Sequence, residues 1–125
     1  MIKLHSDIDS QLLCNTIVAG MQENNAHKIT VLDLRQTRGA VTDFFVICSG
    51  ESSTQVEGIA ESVRRFTSKA LQEKPWHVEG EENGEWVLMD YVSVVVHIFQ
   101  KHIREYYDIE SLWGDAKITQ IANKF

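Results

Sequence analysis

The spacing of apolar positions changes several times along the chain, and each change marks a predicted element. Ile8, Leu12, Ile17 and Met21 recur about every four residues, which predicts a helix over residues 6–24 with one apolar face. Ser6, Asp7 or Ser10 offers a capping oxygen, and Asn24-Asn25 supplies a stop. Residues 29–34 are rich in β-branched side chains and predict a strand. A loop around Gly39 follows. Residues 44–48 are continuously apolar, the pattern of a central strand covered on both faces. Val56, Ile59, Ala60, Val63, Thr67, Ala70 and Leu71 return to helical spacing, so residues 52–71 form a second long helix. Its capping box is Ser52 with Gln55, or Thr54 with Glu57, and Pro75 prevents its continuation.

Beyond Pro75 the period shortens to two. Residues 76–79 predict a short strand, and residues 80–85 an acidic, glycine-bearing turn. Residues 86–91 and 94–99 predict a hairpin about Val92-Ser93. A short helix near residues 101–107 and a last turn capped by Asp108 come next. Residues 117–125 read as a weakly structured tail or one more short helix. The order α-β-β-α-β-β-β-α predicts an α/β fold in which a mixed β-sheet of about five strands is flanked by helices. No repeat or linker divides the chain, so residues 1–125 form one domain.

The hairpin can be read as two surfaces because strand side chains alternate faces. With the turn at Val92-Ser93, Trp86 lies opposite Phe99, Leu88 opposite His97 and Asp90 opposite Val95. Val87, Met89, Tyr91, Val94, Val96 and Ile98 then share an almost wholly apolar face, which should pack on the long helices. Trp86, Leu88, Asp90, Val95, His97 and Phe99 share a mixed one. Two readings of the mixed face stand open. It is a protein-docking face with Trp86 as anchor, since aromatic anchors among a few polar groups are the make-up of an interface hot spot. Trp76 and Glu79 extend it if their strand pairs beside the hairpin. Alternatively it lies under the terminal helices, with His97 and Asp90 hydrogen-bonded inside.

Charge narrows the partners. Eighteen acidic against 12 basic residues give a formal net charge of −6, which excludes a general phosphate-backbone binder and predicts no sequence-specific nucleic-acid contact. It suits a protein that meets basic partners, and equally one that is merely kept soluble. No apolar stretch approaches the roughly 18 residues of a membrane span, and the first residues resemble neither a signal nor a transit segment. Cys14 and Cys48 stand outside any CxxC motif and read as buried, reduced thiols.

A search for chemistry returns little. There is no GxxxxGK[ST] and no GxSxG. The Ser49-Gly50-Glu51-Ser52 turn could offer N–H groups to an anion, but such turns more often serve only as a tight turn and cap. The histidines are scattered, and Glu79, Glu81, Glu82 and Glu85 form a solvated acidic run rather than a calcium loop. Asp33, Asp43 and Asp90 occur singly, without the paired carboxylates that two-metal nucleotidyl transfer requires. No catalytic residue, cofactor or metal is assigned, and a binding module is favoured.

Several blocks together are specific. Residues 31–35, the run Thr42-Asp43-Phe44-Phe45-Val46-Ile47-Cys48-Ser49-Gly50, Glu79-Gly80, residues 84–91, residues 94–99, and Arg104-Glu105-Tyr106-Tyr107-Asp108-Ile109-Glu110-Ser111-Leu112-Trp113 resemble, in order, the Iojap or ribosomal silencing factor family. The resemblance covers about residues 8–115. It implies a nucleotidyltransferase-like fold without the catalytic carboxylate pair. It implies docking on the large ribosomal subunit through the universal L-fourteen ribosomal protein, which blocks association with the small subunit and represses translation. It also implies a homodimer in isolation. The turn at Tyr91-Val92-Ser93 departs from the family in lacking a Gly-Asp. With no transit extension, a bacterial cytoplasmic protein is expected. A large-subunit assembly factor and a minimal nucleotidyltransferase using Asp33, Asp43 or Asp90 remain the alternatives.

Overall fold

A computed structural model describes residues 8–122. In chain order the elements are α1 (Ser10–Glu23), β1 (His27–Asp33), β2 (Phe44–Gly50), α2 (Ser53–Leu71), β3 (His77–Glu79), β4 (Trp86–Asp90), β5 (Val94–Gln100), α3 (Lys101–Tyr107), a 3-10 turn (Ile109–Trp113) and β6 (Lys117–Gln120). The sheet is mixed and ordered β3-β4-β5-β2-β1-β6. Only β2 and β5 run parallel; every other pair is antiparallel. Helix α2 supplies the long crossover that a parallel pair requires.

The α/β mixed sheet agrees with the sequence, but its strand count does not. Six strands are present among the described residues rather than about five, because Lys117–Gln120 is neither tail nor helix. It pairs antiparallel with β1, Val31 opposite Thr119. Its four residues are all exposed and include one apolar side chain, so little in its pattern marks a strand.

Ser6 and Asp7 lie outside the described residues. Ser10 is the first residue of α1 and does not cap it; its hydroxyl donates to Asp43 at 2.8 Å. Asp9 occupies the cap position without a side-chain bond. For α2, Ser52 is the cap, accepting from the Gln55 N–H at 3.1 Å, while Gln55 Oε1 accepts from the Glu51 N–H at 2.7 Å. The helix stops at Leu71, before Pro75, with Gln72 left-handed.

Helices α1 and α2 cover one face of the sheet. Leu13, Ile17 and Met21 of α1 and Val56, Ile59 and Val63 of α2 pack on Val87, Met89, Tyr91, Val94, Val96 and Ile98, the set predicted from strand alternation. The helices cross closely at Gly20, where an added Cβ would lie 2.9 Å from Val63 Cα. The Ser62 hydroxyl donates to the Gly20 carbonyl there at 2.7 Å. The buried Tyr91 hydroxyl meets the Thr67 hydroxyl at 2.9 Å, and burial pushes the phenol up to about 12.

On the opposite face a smaller core gathers Leu32, Leu34, Ile47, Phe99 and Ile109 beneath α3 and the 3-10 turn. Arg104 fastens this cover. Its guanidinium donates to the Lys28 carbonyl at 2.7 Å, the Thr30 hydroxyl at 3.0 Å and Glu110 at 2.8 Å. Charge-assisted bonds of this kind are the stronger class, and this side chain is almost fully buried.

Candidate docking surface

The hairpin has the register expected from the sequence: Trp86 opposite Phe99, Leu88 opposite His97, Asp90 opposite Val95. Its turn is tight. The Tyr91 N–H donates to the Val94 carbonyl, the Ser93 N–H to the Tyr91 carbonyl, and Val92 sits at φ 74°. A β-branched residue rarely adopts that conformation. Three bonds hold it: Asp90 accepts from the Val92 N–H at 2.7 Å, Thr42 donates to the Val92 carbonyl at 2.9 Å, and the Asp43 N–H donates to the Ser93 carbonyl at 3.0 Å.

Strand β3 pairs with β4, setting His77 opposite Asp90 and Glu79 opposite Leu88. Paired residues share a face, so His77 and Glu79 extend the mixed surface, with a His77–Glu79 contact of 2.8 Å. Trp76, 68% exposed, joins Val41, Thr42, Asp90, Val92 and Val95 around a shallow hollow of about 240 Å³. Glu79, Gly80, Trp86 and Leu88 line a second hollow of about 230 Å³. Trp76 and Asp90 thus line one hollow, and Glu79, Trp86 and Leu88 the other.

The mixed face is divided into a covered half and an open half. Toward β2 and β1 it lies under the terminal segment: Phe99 and His97 are buried, and Phe45 packs on both His97 (4.8 Å) and Trp113 (5.9 Å). Toward β4 and β3 it is open. Trp86 stands at the border, half-buried, its ring 4.7 Å from Phe99 and 5.0 Å from Tyr107. Its indole N–H donates to His97 Nδ1 at 3.2 Å. His97 is 5% exposed, so it serves the surface from below, by holding Trp86. Burial holds its ring neutral, lowering its pKa to about 4. With Nδ1 accepting, the ring proton sits on Nε2, which has no hydrogen-bond partner among the described residues. Asp90 is not inside; it is partly exposed and spends its carboxylate on the turn.

Phe45 and Val41 were not legible as part of this region. Phe45 lies beside Val95 through the parallel β2–β5 pairing, a non-local contact without a sequence signal. Val41 is 97% exposed and sits in a loop with no periodicity.

The three aspartates do not assemble a metal site. Asp33 is held by Arg35 at 2.7 and 3.0 Å, which keeps its carboxyl below the usual range, and it shares the α1 side of the sheet with Val31. Asp90 is on the other face. No group of three or more metal-ligating side chains occurs among the described residues. In the Ser49-Gly50-Glu51-Ser52 turn the Glu51 N–H and the nearby Gln55 N–H are spent within the cap, on Gln55 and Ser52. Cys14 and Cys48 are free and buried, their thiols pushed up to about 12.

Comparison with known proteins places these features in context. The model of a family described as ribosomal silencing factor during starvation matches residues 7–124. A ribosomal silencing factor of Halalkalibacterium halodurans is 35% identical over 114 residues, covering 91% of this chain and 96% of that protein. A crystal structure of a Chromobacterium violaceum protein superposes with a TM-score of 0.80 at 30% identity, covering 94% of this chain and 97% of that one. A mouse protein named mitochondrial assembly of ribosomal large subunit protein 1 is 29% identical over 112 residues, 85% of this chain and 49% of its own length.

Proposed function

This chain belongs to the ribosomal silencing factor family, and from that premise we propose that it docks on the large ribosomal subunit through the open half of its mixed sheet face. The partner in this reading is the universal L-fourteen ribosomal protein at the intersubunit face, and occupying that face excludes the small subunit and represses translation. The observation that carries the reading is the placement of Trp86. It is a large aromatic ring lining one open hollow with Glu79 and Leu88, and it is fixed from beneath by His97. Hot-spot residues are aromatic anchors of this kind, set in a polar surround. The action is steric and uses no catalytic group, cofactor or metal. No described helix is long and apolar enough to cross a membrane, and the proposed site of action is the cytoplasm. Off the ribosome, self-association into a homodimer is part of the same proposal.

Co-sedimentation tests the docking. The full chain should travel with free large subunits in a density gradient, and Trp86→Ala should weaken capture more than tenfold, the usual loss of about 2 kcal/mol or more for an aromatic hot spot. Absence from every subunit fraction at any salt concentration would overturn the reading. A second role, in assembly of the large subunit, is favoured by the name of the mouse relative. Retention on precursor particles in preference to mature subunits would support it.

A further inference from the structure

We propose that the docking surface continues past Trp86 onto α3 as an aromatic strip of Tyr107 and Tyr106, and that this strip engages the same basic protein surface. The inference rests on the docking reading above. The Trp86 ring lies 5.0 Å from that of Tyr107, and Tyr107 lies 5.0 Å from Tyr106 at 87°. Three rings therefore run without a gap from the half-buried anchor to a side chain that is 80% exposed. Tyr106 belongs to neither apolar core. Single exposed apolar groups are ordinary, but a contiguous strip with a polar border marks an interaction site. Tyrosine also presents a large, rigid contact area at a small cost in conformational entropy.

Charge selects the partner. Residues 75–100 contain five carboxylates (Glu79, Glu81, Glu82, Glu85 and Asp90) and no lysine or arginine. On the α3 side Glu105, Asp108 and Asp115 are exposed, against the single exposed lysine of that helix, Lys101. Glu105 and Asp108 flank the tyrosine pair in sequence but line one pocket with Lys28, Lys101 and Arg104, so the acidic border lies chiefly on the hairpin side. Such a border repels a phosphate backbone. It complements a basic protein surface, whose lysine and arginine heads can also sit over tyrosine faces.

The test measures the affinity of the labelled full chain for purified large subunits at low salt. Tyr106→Ala should weaken binding about tenfold, with an unchanged melting temperature because the ring is exposed, and Tyr106→Phe should keep most of the affinity. Leu88→Lys, on the open sheet face, is measured in parallel. Loss with Leu88→Lys but wild-type affinity for Tyr106→Ala overturns the strip and leaves the docking reading standing. Wild-type affinity for both overturns both. Loss with Tyr106→Ala alone moves docking off the sheet and overturns the continuous surface. Binding to protein-free ribosomal RNA as tight as binding to subunits overturns the basic-protein partner.

Discussion

His97 offers a measurement of how the mixed face of the hairpin is built. Its ring is buried, accepts one bond from Trp86 and stays neutral to about pH 4 in the folded chain. In the unfolded chain it takes a proton near pH 6.5. Above pH 6.5 neither state is protonated, and the stability held by the neutral buried ring is fully present. Between 6.5 and 4 the unfolded state binds more protons, so stability falls as pH falls. From the two pKa values the loss is on the order of 2–3 kcal/mol once the pH has fallen to about 4.5. His97→Phe keeps a ring in the site and removes the titration. Carboxylates contribute to acid destabilisation in both proteins and cancel in the comparison. Urea unfolding at pH 7.5 and pH 4.5 should therefore show the wild type losing on the order of 2–3 kcal/mol more than the variant. Equal losses in the two proteins would mean that His97 titrates like a solvated histidine, and the buried support for Trp86 would be wrong.

Three further outcomes follow from the same geometry. Val92→Gly should raise stability by a few tenths to about 1 kcal/mol, because φ 74° strains a β-branched residue while glycine loses only part of that gain to entropy; a lower melting temperature would contradict this. Gly80→Ala should cost about 2 kcal/mol or more, since φ is 87° and an added Cβ would overlap the Trp86 carbonyl; a melting temperature equal to wild type would refute the close approach. Replacing Glu81, Glu82 and Glu85 together by Gln should slow association with large subunits and flatten its salt dependence, as rim charges act mainly on encounter. The Arg64–Glu81 pair at 3.1 Å is partly exposed, so its loss should leave stability nearly unchanged.

What the sequence revealed and what it hid divide along local and non-local lines. Register and facing in the hairpin follow from a period of two and a short turn, so the Leu88–His97 pairing and the apolar set from Val87 to Ile98 were readable. The α2 cap at Ser52 was readable because it depends on residues three apart. Strand β6 was not, because what makes Lys117–Gln120 a strand is β1, about 87 positions earlier, rather than its own four residues. The adjacency of β2 and β5 was equally hidden, since it passes through a helix and two other strands. This sets the limit on the site. Alternation placed Trp86, Leu88, Asp90 and His97 on one face, but which half is covered depends on how Arg104 and Ile109 seat the terminal segment against β1. That docking buries His97, leaves Leu88 accessible and puts Trp86 on the border.

A protein that acts by occlusion must slow the joining of subunits. Purified large subunits are incubated with the protein, small subunits are added, and joining is followed by light scattering. Joining should fall as the large subunits are occupied, Trp86→Ala should restore it at the same protein concentration, and ribosomes already joined should resist the protein. Undiminished joining on large subunits shown by sedimentation to carry the protein would contradict it.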